Sequence, residues 1–131
     1  MTFWFLMGAA LLSLVGAGFH GVLGHRVYMG GINASALAPL SKSLSLVSWH
    51  MFTIFLLVCT GVLAFAAVAP AAAPMDTAAM APMVWPLIAV NALGAGLFIG
   101  LALSAPHRHL LRMPGAWLMG GTALLAWLGV G

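Results

Sequence analysis

The sequence predicts an all-α fold: an integral membrane four-helix bundle whose antiparallel spans run up and down through the bilayer. The chain of 131 residues is 64% hydrophobic and only 4% charged, whereas a soluble domain carries about 25% charged residues. Four stretches are apolar over about the 20 residues that a helix needs to cross a membrane. The alternating polarity that is typical of membrane β-barrels is absent from the sequence.

The four predicted spans cover residues 2–24, 44–68, 84–104 and 113–130, and together they form a single transmembrane domain over residues 1–131. The first span ends at His25 and Arg26, and the second begins just after Lys42. Pro86 is expected in the first turn of the third span and Pro114 opens the fourth, where a missing N–H is tolerated. Each span is predicted as a helix because backbone groups in lipid must be bonded internally.

Charge is distributed unevenly over the predicted loops. All four Lys and Arg residues lie in the first and third loops, and the only acidic residue, Asp76, lies in the second. The positive-inside rule therefore predicts that loops one and three face the cytoplasm, with both termini and loop two outside. We expect a bacterial inner-membrane protein in contact with membrane lipids. Nucleic acid is not an expected partner, because the net charge of +3 reflects a shortage of acids rather than a basic patch.

With this topology, all five histidines lie in the cytoplasmic half of the membrane. His20 is expected about 9 Å deeper than Arg26, and His50 about 12 Å deeper than Lys42. Each of the two histidines belongs to a stripe of small or polar residues at helical spacing, a surface that lets membrane helices approach closely. We therefore expect His20 and His50 to face the bundle and to approach each other. His25 lies about 140° around the helix from His20 and is expected at the water interface.

Three interpretations of the His20 and His50 pair stay open. The two imidazoles could ligate one b-type haem or another metal ion, and a set of nearby glycines could leave room for a haem: Gly16, Gly18, Gly21 and Gly24. The pair could instead handle protons, or bind a quinone or a lipid headgroup near the inner surface. In the third interpretation, each imidazole hydrogen-bonds a backbone carbonyl or a hydroxyl and locks two helices together.

Three other features carry weaker signals. Met75, Met80 and Met83 belong to the predicted outer loop, and their thioethers suit Cu(I), although an Ala/Pro-rich linker would have the same composition. Asn91 is expected to hydrogen-bond another helix. Gly96 and the glycine four residues later, Gly100, form a GxxxG motif that could serve the bundle or a partner subunit.

Two short segments resemble a pattern found in small four-span bacterial inner-membrane proteins. The segments are FHGVLGH at residues 19–25 and SWH at residues 48–50, and the matched positions are His20, Gly24, Trp49 and His50. The chain departs from the pattern at His25, where that family has an acidic residue. The resemblance implies that His20 and His50 act as a unit, and it implies no activity.

The sequence contains no recognisable catalytic set of residues, because the only carboxylate side chain, Asp76, is predicted on the outer side of the membrane and every histidine on the cytoplasmic side. We therefore expect a small non-enzymatic accessory or interaction subunit of a larger respiratory or photosynthetic membrane complex, with other membrane subunits as partners. One alternative is an electron-transfer protein that binds a single b-type haem or a metal through His20 and His50. Another is a small transporter or copper-handling protein.

Overall fold

The computed structural model describes residues 1–72 and 77–131, and this part of the chain is almost entirely helical and contains no strand. The first helical unit consists of α1 (Thr2–Gly18), a π-helical segment (Phe19–Gly24) and α2 (His25–Ala34). It is followed by α3 (Pro39–Ala72), α4 (Thr77–Ala102), a 3₁₀-helical segment (Ala105–Arg112) and α5 (Pro114–Val130). The all-α prediction is confirmed.

Among the described residues, three helical units are long and apolar enough to cross a membrane: Thr2–Ala34, Pro39–Pro70 and Ala79–Ala102. A fourth crossing is present if Pro106–Arg112 and Pro114–Val130, which meet at an angle of 55°, count as one bent span. The fold is therefore compatible with an integral membrane protein of three or four spans.

The helices extend beyond the predicted spans. The first continues past residue 24 to Ala34, the second begins at Pro39, and the third begins at Thr77. Hydropathy identifies the part of a helix that matches lipid, whereas the helix itself continues for as long as its backbone hydrogen bonds do. As a consequence, Pro86 lies inside α4, which corrects the expectation that it occupies the first turn.

Helix α1 is central, since it packs against both α3 and α5, while α4 packs mainly against α5 and touches α3 at few positions. Small side chains dominate the buried core, which is built from Leu6, Ala9, Ala10, Leu63, Ala66, Ala67, Ala69, Met80, Val84, Ile88, Ala123 and Ala126. His20, His25 and His50 lie outside this core, and so do the residues that line a cavity beside His20.

Candidate functional site

In the π-helical segment, the backbone carbonyl oxygen of His20 accepts two hydrogen bonds. In this segment the backbone N–H of His25 donates to the His20 carbonyl, five residues back. The indole Nε1 of Trp49, on α3, donates to the same carbonyl oxygen at 3.1 Å. The wider turn thus ties the end of α1 to α3 through a backbone group, and short π-helical turns of this kind are frequent at functional sites.

The His20 imidazole is fixed by aromatic and polar contacts with α3. Its ring stacks on Trp49 with the centroids 4.0 Å apart and the planes 11° apart. Its Nδ1 lies 3.0 Å from Oγ1 of Thr53. Trp49 also stacks with Tyr28 at 4.4 Å, so the three rings form a parallel aromatic group. His20 therefore pairs with a hydroxyl across a helix interface.

Two glycines allow α3 to approach this closely. A Cβ atom at Gly21 would lie 2.8 Å from Cγ2 of Thr53, and one at Gly24 would lie 2.8 Å from Cζ2 of Trp49. Both distances are too short for real side chains. The space that the sequence suggested for a haem is therefore occupied at these two positions by side chains of α3.

His50 contacts a different imidazole from the one expected. Its ring centroid lies 5.0 Å from that of His25, with the planes tilted by 32°, whereas the His20 ring contacts Trp49, the residue before His50. The 140° separation of His20 and His25 assumed regular α-helical turns. The π-helical segment between them changes that angle, because each N–H reaches one residue further back. The buried Nδ1 of His25 has no hydrogen-bond partner among the described residues.

The structure does not test whether His20 and His50 hold a cofactor, and this stays a prediction. Within residues 1–72 and 77–131, no group of three or more His, Cys, Asp or Glu side chains is placed to hold a metal ion. Of the candidate copper ligands, Met75 lies outside the described residues. Met80 is only 6% exposed in the core, and Met83 packs against that core; both belong to helix α4 rather than to a loop.

A cavity of about 530 Å³ lies beside the His20 ring, between the helices. Its walls are mainly apolar and aromatic, and they come from all four long helical units. The lining residues are Leu12, Ser13, Gly16, Phe19, His20, Gly24, Val27, Tyr28, Trp49, Phe52, Leu56, Asn91, Phe98, Met113, Pro114, Gly115, Leu118, Met119 and Thr122. Small-molecule sites in proteins have this size and this apolar character, with a few polar groups that orient the ligand.

Asn91 is the most deeply buried polar side chain of the cavity, with 1% of its surface exposed. Its Nδ2 donates to the carbonyl of Leu87 in the same helix at 2.9 Å and lies 4.0 Å from Sγ of Cys59 on α3. Its Oδ1 is buried and has no hydrogen-bond partner among the described residues. This oxygen is therefore enclosed by protein atoms and is not exposed on the cavity wall.

The basic cluster of the third loop lies in the exposed 3₁₀-helical segment, where the rings of His107 and His109 are 6.4 Å apart. Arg108 and Arg112 belong to the same exposed segment. The segment leads directly into Met113 and Pro114, which line the cavity. Cationic side chains therefore lie close in sequence to one wall of the cavity.

Sequence reasoning indicated room near His20 at several glycines, of which Gly16 and Gly24 line the cavity, but it missed the aromatic walls of the cavity and the roles of Tyr28 and Thr53. The available signal for Thr53 was its position in the polar stripe of the second span, three residues after His50. No comparable signal existed for Tyr28, because it lies beyond the predicted end of the first span.

The chain matches no protein-family model, and comparison with curated proteins and with solved structures finds no similar protein.

Proposed function

We propose that this chain is a non-enzymatic integral membrane protein with four antiparallel spans, an accessory subunit that holds a lipophilic small molecule in the cavity beside His20. The observation that carries the proposal is the cavity itself. Its volume of about 530 Å³ falls in the range of about 300–1,000 Å³ that is usual for ligand sites.

The outer surface of the helices supports a membrane location for this site. Large apolar side chains face outward along the predicted spans, among them Leu93 at 74%, Leu97 at 63% and Trp117 at 68% exposure. Such a surface is stable in lipid and unstable in water. With loops one and three in the cytoplasm, the histidines and the cavity would lie in the inner half of the bilayer.

The polar groups around the cavity favour binding over catalysis. They are three hydroxyls, one amide, one imidazole and one indole N–H: Ser13, Tyr28, Thr122, Asn91, His20 and Trp49. The two aliphatic hydroxyls donate to backbone carbonyls, Ser13 to Leu56 at 2.9 Å and Thr122 to Leu118 at 2.8 Å. A nucleophilic hydroxyl needs an adjacent general base, and these two are engaged in helix packing instead.

The GxxxG motif supports the accessory role. A Cβ atom added at Gly96 or at Gly100 would meet no other atom within 4 Å, so the motif does not serve packing inside the described part of this chain. Membrane helices use such small-residue surfaces to associate closely. A helix from a partner subunit would find this face of α4 open.

Haem binding is the second candidate, and one observation favours it. His20 lines the cavity, and its Nε2 receives no hydrogen bond from the described residues. His50 does not line the cavity, so a second axial ligand would have to be a lining methionine, Met113 or Met119. The transporter and copper-handling alternatives gain no comparable support, because Met80 is enclosed in the core.

Native mass spectrometry of the protein purified from its membrane tests the proposed function. We expect one non-covalent small molecule per chain in the wild type. The Gly16→Leu variant should lose it, because a Cβ at this cavity-lining position is accommodated, 3.8 Å from the nearest atom, Cδ1 of Leu56, and the rest of the leucine side chain would compete with a ligand for cavity space.

Gly18→Leu is the matched control. Gly18 lies two residues away and is exposed, and a Cβ atom added there would meet no other atom within 4 Å. Equal retention by both variants, or a wild type without any bound molecule, would contradict the proposed function. An absorption spectrum of the same sample separates the haem candidate, since a haem would give a Soret band that His20→Ala removes.

A further inference from the structure

We propose that the cavity holds one acyl chain of an anionic phospholipid, whose phosphate group is bound at the open end of the cavity by Arg26 and Arg112. The inference rests on the proposed function and names the class of ligand that the site would take. It depends on three observations: where the cavity opens, which charges lie at the opening, and the apolar character of the deep end.

The opening of the cavity is marked by lining residues that are also exposed. Val27, Tyr28 and Met113 are the most exposed of the side chains that line it. Val27 and Tyr28 belong to the first turn of α2, and Met113 directly precedes α5. The opening therefore lies between the first helical unit and the start of the last helix, and a ligand can enter there from the surrounding lipid.

Two arginines lie at this opening, one on each side. Arg26 directly precedes Val27, and Arg112 directly precedes Met113, so each arginine Cα is about 3.8 Å from the Cα of an exposed lining residue. Both arginines are exposed, and the long stem of an arginine lets its guanidinium group extend to a headgroup. Guanidinium groups bind phosphate oxygens through two parallel hydrogen bonds.

No acidic side chain neutralises these arginines within residues 1–72 and 77–131, because the sequence has a single Asp or Glu, Asp76. Cationic side chains at a membrane surface attract anionic lipid headgroups, and here an anion has to come from outside this part of the chain. Lys42 differs from the two arginines, since its Nζ donates to the Asn33 carbonyl at 2.7 Å and it does not line the cavity.

The deep end of the cavity suits a chain without polar atoms. Ser13 and Thr122 are buried there, and each hydroxyl donates its hydrogen to a backbone carbonyl. The amide oxygen of Asn91 is enclosed by protein atoms. Thr122 lies eight residues beyond Pro114 along α5, and both line the cavity, so this apolar space extends about 12 Å along the helix. A cationic opening followed by an apolar interior matches a phosphate group followed by an acyl chain.

The test compares phosphatidylglycerol with phosphatidylethanolamine, both carrying oleoyl chains, so that the two lipids differ in net charge and not in their tails. The full chain is delipidated in detergent, and native mass spectrometry measures the dissociation constant of the first lipid bound. We expect the wild type to bind phosphatidylglycerol more tightly by about fivefold for each arginine, and so by about twentyfold for the pair. Oleate, which has the same chain without the phosphate group, should bind more weakly than phosphatidylglycerol.

Arg112→Gln should reduce the preference for phosphatidylglycerol about fivefold, because it removes one of the two cations at the opening. Lys42→Gln is the matched control, since it removes the same charge from a side chain that does not line the cavity, and it should leave the preference unchanged. Equal effects of the two substitutions would overturn the inference.

Gly16→Leu should weaken the binding of both phospholipids, because it fills space inside the cavity without changing any charge, whereas Gly18→Leu should bind them like the wild type. An unchanged affinity in Gly16→Leu would place the lipid on the outer surface instead. The comparison of the two lipids in the wild type needs no substitution, so it decides the inference even if a variant fails to fold. Equal affinities for the two phospholipids, or tighter binding of oleate, would overturn it.

Failure of the inference is distinguishable from failure of the proposed function, which is tested on the molecule that the protein carries from its own membrane. If Gly16→Leu loses that molecule and the wild type prefers neither phospholipid, the cavity binds lipophilic molecules without recognising a headgroup, and only the inference is overturned. If the wild type carries no molecule and binds neither phospholipid better than Gly16→Leu does, both are overturned.

Discussion

Substitution of Gly24 by alanine tests the close approach of the π-helical segment to α3. The new Cβ would lie 2.8 Å from Cζ2 of Trp49, and this ring is held by a hydrogen bond to His20 and by stacking with Tyr28. Overpacking of this kind costs about 1–3 kcal/mol, and the displaced indole would lose a hydrogen bond of about 1 kcal/mol. Alanine regains about 1 kcal/mol of helix propensity over glycine. We expect a net loss of about 2 kcal/mol in the free energy of unfolding.

Gly30→Ala is the control for this experiment, because Gly30 lies in α2 and a Cβ there would meet nothing within 4 Å. It should gain up to about 1 kcal/mol from helix propensity alone. The assay is equilibrium unfolding in mixed micelles, followed by far-ultraviolet circular dichroism. Trp49→Phe removes Cζ2, so Gly24→Ala should cost much less in that background. Equal stability of Gly24→Ala and Gly30→Ala would refute the reasoning.

Two further expectations concern packing inside the bundle and use the same unfolding assay. Gly129→Ala would place its Cβ 2.7 Å from Cγ of Leu6, a core side chain that is only 1% exposed, so we expect a loss of about 1–3 kcal/mol, whereas Gly96→Ala, in open space, should be neutral or slightly stabilising. Comparable effects at the two glycines would show that α1 and α5 do not meet at Gly129. Ser13→Ala removes the buried hydrogen bond from α1 to the Leu56 carbonyl on α3 and should cost about 1 kcal/mol; an unchanged midpoint would mean that this bond is absent from the protein in micelles.

The fold class could be predicted from the sequence because long, strongly apolar segments are stable as helices in lipid and not in water. The spans at residues 44–68 and 113–130 lie within or close to observed helices, Pro39–Ala72 and Pro114–Val130. The ten residues of His25–Ala34 could not be assigned in this way. They are too polar to read as a membrane span, and whether a helix continues past its apolar part depends on tertiary contacts that no periodicity reports.

The site was only partly predictable for a different reason. The small-residue stripe of the first span does face α3, since Gly24 lies against Trp49 and Ser13 donates to the Leu56 carbonyl. The partner of each imidazole was not predictable, because the π-helical segment rotates His25 relative to His20 and brings it against His50. The glycines near His20 suggested room, and Gly16 and Gly24 do line the cavity, but its extent and its other walls depend on how four helical units pack and could not be predicted from any one segment.

An experimental structure of the protein in lipid nanodiscs, prepared from its native membrane, tests the central claim most directly. We expect non-protein density in the cavity, along its apolar and aromatic walls beside His20. Closure of the cavity by its own side chains would contradict the account.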